Sequence, residues 1–310
     1  CIISGPIAFP SGAAAIEWSA RNRKPVVIFD DARLQDVQRP RLIDWIKKKV
    51  YSCASAVLCP ARGWIETFSH FGFREDQIFF GVDVVDNDFW SQPAIRNLPI
   101  KNIPKYFLAI GRQVPKKNFL SLVKAYWEYF KSAGEPVHLI LIGDGPDRVE
   151  EEIFVEAHKL ESYVHFLSFI SQIELRPYYQ NATCLILPSI YGESWGLVVN
   201  EAMASGLPVL VSNQAGCSDT LVKEGINGYT FSPLNIGELA GLLKKIAGIY
   251  DWERILMGTK SREIISEWGL DRFCQGVYDA IQFVSRSEHK NPDLLTKLIV
   301  KLWKGRYRPV

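Results

Sequence analysis

The sequence lacks several features that would assign a function class directly. Its six cysteines include no Cys-x-x-Cys pair and its five histidines show no ligand spacing, so no zinc site is predicted. No apolar run approaches the roughly 20 residues that cross a bilayer. Internal repeats and low-complexity tracts are also missing from the sequence. We therefore expect reduced, mostly buried thiols and a cytoplasmic protein.

The sequence also lacks an excess of positive or negative charge. The 310 residues contain 36 Lys plus Arg and 34 Asp plus Glu, a formal net charge of +2, so no strong field points to nucleic acid. The length indicates about two domains. The chain does not begin with Met, and Ile2-Ile3 reads like a strand already in progress. We expect a chain that begins inside a domain, without a signal peptide.

Short apolar runs alternate with helical patterns along most of the chain. Continuous apolar runs are typical of buried parallel strands, so the alternation predicts an α/β fold with doubly wound sheets. The predicted strands cover residues 25–29, 56–59, 77–80, 106–110, 138–142, 164–167, 184–187, 208–212 and 229–231.

The pattern also predicts the domain organisation. Residues 1–98 form a partial first domain, residues 97–104 carry two prolines typical of a linker, and residues 99–268 form a second domain. The helix predicted within residues 269–288 has an apolar stripe and is expected to pack back on the first domain. Residues 289–310 form a basic tail with interleaved leucines, which is either an interfacial anchor on anionic lipid or a frayed terminus.

The stretch Gly192–Ser212, here called the donor segment, carries the clearest functional pattern. Glu193 precedes a helix start at Gly196-Leu197, and Glu201 lies about one turn inside the helix. A helix N-terminus suits a diphosphate, and eight helical residues span roughly 12 Å. A nucleotide sugar has this layout, with hydroxyls on both sides of a diphosphate. The alternative is two solvated glutamates near a helix start.

Other polar residues follow neighbouring strands at the same edge of the predicted sheet. Arg112 and Lys117 come after Gly111 and suit a diphosphate. The run from Gly143 to Gly145 lacks the third glycine of the dinucleotide fingerprint and is read as a turn beside a nucleotide. The acidic run at residues 86–88 is read as a turn rather than a metal site.

Together these motifs resemble the retaining glycosyltransferases called group 1 or family 4, which have the GT-B fold. The likeness is carried by Gly111-Arg112 with Lys117, Ile142-Gly143-Asp144-Gly145, Leu187-Pro188-Ser189, the Glu193 and Glu201 pair, and Ala204-Ser205-Gly206-Leu207-Pro208-Val209. It implies two Rossmann-like domains, the first one truncated here, with C-terminal helices that pack on the first.

The resemblance also implies a role for each matching residue. Arg112 and Lys117 would neutralise the donor diphosphate, and Glu193 would bind the hydroxyls of the donor sugar near the reacting carbon. Two glycines, Gly111 and Gly143, would also bind the donor. The remaining donor-binding residues are Phe169 and Ile170 at the base, Gly196 and Leu197 at the phosphate, and Glu201 at the ribose. The expected donor is UDP- or GDP-linked, and no cofactor or metal is expected.

The sequence departs from the family pattern at three places, of which the Gly-rich loop and the His position bear on the acceptor side. The Gly-rich loop of the first domain is not in this sequence, and Trp195 stands where the family usually has Phe. Many members carry a His after the strand at residues 25–29, where this chain has Asp30 and Asp31, which we take as acceptor-side candidates.

The expected function is transfer of a sugar to a glycan or lipid-linked acceptor in polysaccharide or glycoconjugate biosynthesis. The expected location is the cytoplasm, with peripheral contact to the inner membrane face through the basic tail. Three alternatives remain open: a non-catalytic nucleotide-sugar-binding subunit, a nucleotide-sugar epimerase and a retaining glycosidase. The last needs two carboxyl groups about 5 Å apart, which a phosphate-type helix start between them fits poorly.

Overall fold

The computed structural model describes residues 1–36, 39–93, 103, 105–287 and 292–305. The chain divides into two compact units, which are Cys1–Val84 with Leu270–Val310, and Val85–Gly269. We call them unit 1 and unit 2. None of the helices in the described ranges is both long enough and apolar enough to span a membrane.

Unit 1 is built on a four-stranded parallel sheet with strand order β1-β2-β3-β4. Its strands are short apolar runs, and the residues of β3 are all buried, as expected for strands covered on both faces. The strands are β1 (Ile2–Ser4), β2 (Val26–Phe29), β3 (Ala56–Cys59) and β4 (Ile78–Phe80); the helices that follow the first three are α1 (Pro10–Asn22), α2 (Arg41–Tyr51) and α3 (Ile65–His70).

Two C-terminal helices complete unit 1, α12 (Leu270–Arg286) and α13 (Leu294–Leu302). Helix α12 packs on β2, β3 and β4 through a face that includes Gly276, Ala280 and Val284. A Cβ at Gly276 would lie 2.1 Å from the Phe80 carbonyl oxygen, so only glycine permits this close approach of helix and strand.

Unit 2 is built on a six-stranded parallel sheet with order β10-β9-β8-β5-β6-β7. The strands are β5 (Tyr106–Ile110), β6 (His138–Ile142), β7 (Val164–Leu167), β8 (Cys184–Leu187), β9 (Val209–Ser212) and β10 (Gly228–Phe231). The order reverses between β5 and β8, which are neighbours in the sheet although two strands separate them in sequence. Open α/β sheets bind ligands beyond the carboxyl ends of their strands at such a switch point.

Eight helices flank this sheet among the described residues of unit 2. They are α4 (Asn87–Ser91), α5 (Phe119–Phe130), α6 (Arg148–Ala157), α7 (Gln172–Asn181), α8 (Leu197–Ala204), α9 (Ser218–Leu221), α10 (Ile236–Gly248) and α11 (Asp251–Ile265). The core of the unit is formed by apolar residues of the strands, α5 and α10. The α/β class and the parallel strands predicted from the sequence are confirmed.

The division between the units falls earlier than the predicted boundary at residue 98, because α4 belongs to unit 2. The ring of Trp90 packs edge-on against Tyr179 at 5.2 Å, and the Trp90 carbonyl oxygen accepts a hydrogen bond from Ser205. Asp86 caps α4 by accepting from the Phe89 N–H, so the acidic run starts a helix. The predicted linker lies outside the described residues except for Ile103.

Candidate functional site

The carboxyl ends of β5 and β6 are held together by glycines. A Cβ at Gly143 would lie 2.0 Å from the Gly111 carbonyl oxygen, and one at Gly145 would lie 2.0 Å from the Gln113 carbonyl oxygen. Gly143 also has φ of 137°, which disfavours other residues. The turn predicted beside the nucleotide therefore contacts the loop after β5 through its backbone.

The loop after β5 is fixed to its neighbours by backbone and amide hydrogen bonds. Asn118 adopts a left-handed conformation, and its Nδ2 donates to the carbonyl oxygens of Pro188 (3.1 Å) and Pro233 (3.0 Å). The Ile190 N–H donates to the Lys116 carbonyl oxygen at 2.9 Å. The loops that follow β5, β8 and β10 thus meet at this edge of the sheet.

Lys117 and Glu193 form an ion pair at this edge. The Lys117 ammonium donates to Glu193 Oε2, and the side chains are only 15% and 14% exposed. Ser189 Oγ donates to the same carboxylate oxygen at 2.7 Å. The structure therefore brings together two predicted site residues that are 76 positions apart in the sequence. Arg112, on the same loop as Lys117, has an exposed side chain.

The helix start predicted at Gly196-Leu197 is the start of α8. Gly196 has φ of 110°, and a Cβ there would lie 2.7 Å from Leu187 Cδ2, so glycine is required on both counts. The Glu193 carbonyl oxygen accepts from the Gly216 N–H at 2.9 Å, and this bond ties the segment to the loop after β9. The Val199 N–H donates to the Gly196 carbonyl oxygen at 2.9 Å, and the N-terminus of α8, where the helix dipole favours an anion, follows the loop after β8.

Glu201 lies in α8 and is held differently from Glu193. Its Oε2 accepts from the phenol hydroxyl of Tyr179 in α7 at 2.5 Å. Burial raises the pKa of Glu201 to about 7, although the bond from Tyr179 acts to lower it. Near neutral pH this carboxyl group therefore exchanges between an acceptor-only and a protonated form.

The Phe169-Ile170 stretch follows β7 and is linked to the β6 turn by one carboxylate. Asp144 Oδ2 accepts from the Phe169 N–H at 2.9 Å, and Asp144 Oδ1 accepts from Arg148 at 3.1 Å. The Phe169 ring is 81% exposed. Ile170 is half-buried. Asp144 thus fixes the position of the backbone that is predicted to contact the base.

Asp30 and Asp31 lie at the carboxyl end of β2 in unit 1. Asp30 is 3% exposed and accepts from the Tyr51 hydroxyl and from the Ala32 N–H. Burial raises the pKa of Asp30 above its usual range. Asp31 is half-buried, and the acceptor-side role of both residues stays a prediction.

Two residues that position the site, Tyr179 and Asn118, were not predicted from the sequence. Tyr179 was read only as part of a helix, because nothing in the sequence relates it to Glu201, and the two are 22 positions apart. Asn118 follows Lys117 in the sequence, and the sequence pattern alone assigns it no role. A left-handed residue between a short turn and a helix is the signal that could have identified it, since Asn tolerates that conformation.

The comparisons with known proteins agree on one family. The model for glycosyl transferases group 1 matches residues 91–249, slightly more than half of the 310 residues. An uncharacterized glycosyltransferase of Methanocaldococcus jannaschii is 24% identical over 218 residues, 68% of this chain and 55% of its own length. The alpha-monoglucosyldiacylglycerol synthase of Acholeplasma laidlawii is 32% identical over 135 residues, 44% of this chain and 33% of its own length.

Solved structures agree on the fold. Anabaena HepE in complex with UDP superposes with a TM-score of 0.76 at 20% identity and covers 87% of this chain and 75% of that one. Sucrose-phosphate synthase from Thermosynechococcus elongatus gives a TM-score of 0.72 at 21% identity and covers 92% and 74%. The α/β fold is of the GT-B type. The chain spans about half or less of the curated relatives just named. With a family model matched over more than half its length, the chain belongs to the group 1 glycosyl transferases.

Proposed function

We propose that the parent protein is a retaining glycosyltransferase that moves a sugar from a nucleotide-diphosphate sugar to a glycan or lipid-linked acceptor. The observation that carries the proposal is the Lys117–Glu193 ion pair at the sheet edge, directly before α8. It sets a cation and a hydroxyl acceptor beside the N-terminus of α8. These are the groups that a sugar diphosphate requires.

The donor would lie along the donor segment. Its diphosphate would accept from the first N–H groups of α8 and interact with Lys117 and Arg112. Glu193 would accept from the sugar hydroxyls and Glu201 from the ribose hydroxyls. The backbone at Phe169, which is held by Asp144, would contact the base. This assignment gives each hydroxyl-bearing ring of the donor one carboxylate.

Catalysis would consist of positioning and charge stabilisation. The bond between the anomeric carbon and the diphosphate oxygen breaks, and the oxygen of the acceptor hydroxyl forms a new bond to that carbon on the same face. The hydroxyl proton passes to the leaving diphosphate oxygen. Charge develops on the leaving diphosphate, where Lys117 and Arg112 stabilise it without a metal. Removing one such preorganised group typically costs a factor of about 10² to 10³ in rate.

A UDP-linked donor is the first choice within this proposal. Two features of other proteins favour it: Anabaena HepE was solved in complex with UDP-glucose, and pneumococcal GtfA in complex with UDP and GlcNAc. The matched relatives include a synthase of a glycosylated diacylglycerol and a poly(glycerol-phosphate) alpha-glucosyltransferase. Both a lipid and a polymer therefore belong in the acceptor panel.

The test is mass spectrometry of the products that the protein forms from a panel of UDP- and GDP-sugars with lipid and glycan acceptors. We expect one donor to give a product, with turnover reduced by orders of magnitude in Glu193→Ala and Lys117→Ala. Lys105→Ala is the matched control, because Lys105 forms an exposed ion pair with Asp251 in the same unit. Unchanged turnover in both site variants would contradict the proposal, and binding without turnover would favour a non-catalytic subunit.

A further inference from the structure

Helix α13 exposes an apolar face that has no covering element among the described residues. Leu294, Leu295, Leu298 and Leu302 are between 51% and 85% exposed. At 100° per residue these four positions fall within an arc of about 100°. The opposite side of the helix is buried through Thr296 and Val300. The leucines therefore point away from unit 1.

Lysines flank this apolar arc. Lys297 and Lys301 are exposed and lie on the helix beside the leucines, and exposed Lys304 follows the helix end. From Leu294 to Gly305 the sequence contains three lysines and no acidic residue. A helix with leucines on one side and lysines along its border is typical of segments that lie in the interface of an anionic bilayer.

The helix is firmly attached to unit 1 at both ends. At its start, Lys49 of α2 pairs with the capping residue Asp293 at 3.4 Å. At its end, the Trp303 indole N–H donates to the Ile7 carbonyl oxygen at 2.7 Å, and Lys304 pairs with Glu17 of α1 at 3.2 Å. Helix α13 is thus a fixed part of unit 1 and presents its leucines without further folding.

The two helices that contact α13 extend the same chemistry. Helix α2 exposes Leu42 and Trp45, and α1 exposes Trp18. Arg41 on α2 is an exposed cation, whereas exposed Arg21 on α1 forms an ion pair with Glu17 at 2.6 Å. Tryptophan is favoured at the level of lipid headgroups, where its ring is half apolar and half polar. We call the exposed apolar residues of α13, together with those of the two helices that contact it, the α13 face.

We propose that the α13 face docks on the surface of an anionic lipid bilayer. The occupant is a bilayer because Lys297 and Lys301 border the exposed leucines of α13, and Arg41 lies beside the exposed apolar residues of α2. This arrangement matches a surface that is negative outside and apolar beneath. The leucines would enter the headgroup region and the lysines would contact lipid phosphates. This inference does not rest on the proposed transfer activity, since binding to vesicles needs neither donor nor acceptor.

Vesicle co-sedimentation of the 310-residue chain tests the proposal. The probes are vesicles of phosphatidylglycerol and phosphatidylcholine in equal parts, and vesicles of phosphatidylcholine alone. We expect binding to the first that exceeds binding to the second by roughly tenfold and that weakens between 0.1 M and 0.5 M salt. Equal binding to both, or no binding to the anionic vesicles, would overturn the proposal.

Two variants of α13 separate the apolar and the charged contribution. Leu294→Ser/Leu298→Ser/Leu302→Ser removes the exposed leucines, and Lys297→Glu/Lys301→Glu reverses two charges. All five side chains are exposed, so circular dichroism should report an unchanged fold. We expect each variant to lose roughly tenfold or more in vesicle binding.

Matched controls come from unit 2. Val149→Ser/Ile153→Ser removes exposed apolar residues from α6, and Lys223→Glu/Lys244→Glu reverses two exposed charges. Both should bind vesicles as the unchanged chain does. Equal loss in the controls and the α13 variants would overturn the proposal.

A dimer interface is the alternative occupant of the α13 face. If the leucine variant binds vesicles as before but loses a dimer in gel filtration, the face joins two copies of this chain and the proposal is overturned.

Discussion

The two carboxylates of the donor segment are held in opposite ways. Glu193 lies in a turn and is paired with the Lys117 cation and the Ser189 hydroxyl. Glu201 lies inside α8 and is bonded to the Tyr179 phenol, and burial raises its pKa to about 7. The chemistry of the two ends therefore differs although both residues are glutamates on the same short stretch.

This difference indicates two tasks. The lysine of the ion pair is a positioned cation, which suits the end where negative charge develops on the leaving diphosphate, and its carboxylate partner can accept from the sugar hydroxyls beside it. A buried carboxyl group held by a neutral hydroxyl suits ribose hydroxyls, whose charge does not change during transfer. The predictions below test whether the two ends can be separated experimentally.

The largest effect is expected at the charged end. Lys117→Met removes the cation beside the leaving diphosphate, and we expect transfer to fall by about 10² to 10³. The affinity for the free nucleotide should change far less than the rate, because the charge that Lys117 stabilises develops during the reaction. Steady-state kinetics with the active donor measures both effects. A variant that loses affinity but keeps its rate would place Lys117 outside the reacting end.

A second effect concerns stability at the buried end. The pKa of Glu201 is raised from 4.5 to about 7, so the folded protein binds a proton that the unfolded chain releases between these values. The corresponding stability is present below pH 4.5 and is lost as the pH rises through 7; its upper limit is roughly 3 kcal/mol.

Urea unfolding at pH 5.5 and pH 8 checks this linkage. Buried Glu151 of α6, whose pKa is also raised to about 7 by burial, contributes in the same window. Glu201→Gln and Glu151→Gln should each reduce the loss of stability between the two pH values, and the double variant should reduce it further. A pH dependence that is unchanged in the double variant would contradict the assignment.

The smallest effect concerns the pH dependence of donor binding. An ionised Glu201 accepts two hydroxyl bonds, so the affinity for a UDP-sugar should increase as the pH rises through about 7. Tyr179→Phe removes a bond that lowers the pKa of Glu201, so the increase should move to higher pH. Calorimetric titrations from pH 6 to pH 9 measure the shift. Glu201→Gln is the control, and a pH dependence that persists in it would assign the effect to another group.

The sequence predicts the strands of unit 2 better than it predicts the side-chain contacts between its helices. Strands β5, β6 and β8 match the predicted bounds, because a continuous apolar run with a turn at its end has few alternatives. The parallel order then places the loops of Lys117 and Glu193 at one edge. The bond between Tyr179 and Glu201 could not be predicted, since it depends on how α7 packs beside α8.

The position of the boundary between the two units could not be predicted from the sequence pattern either. Prolines indicated a linker near residue 98, whereas the packing of Trp90 on Tyr179 assigns α4 to unit 2. A helix of five residues has too little periodicity to be recognised, and its Asp86 cap resembles an ordinary turn. Likewise, the sequence places Asp30 at a strand end, but its burial and its bond from the Tyr51 hydroxyl depend on how α2 packs and could not be predicted.

The central claim is that Glu193 binds the sugar and Glu201 binds the ribose of one donor. Calorimetric affinities for UDP and for the UDP-sugar that gives turnover test it most directly, in the unchanged chain and in Glu193→Gln and Glu201→Gln. The account predicts that Glu193→Gln weakens only the UDP-sugar, so that its advantage over UDP disappears. Glu201→Gln should weaken both ligands by the same factor. The reverse pattern, or equal effects of the two substitutions on both ligands, would contradict the account.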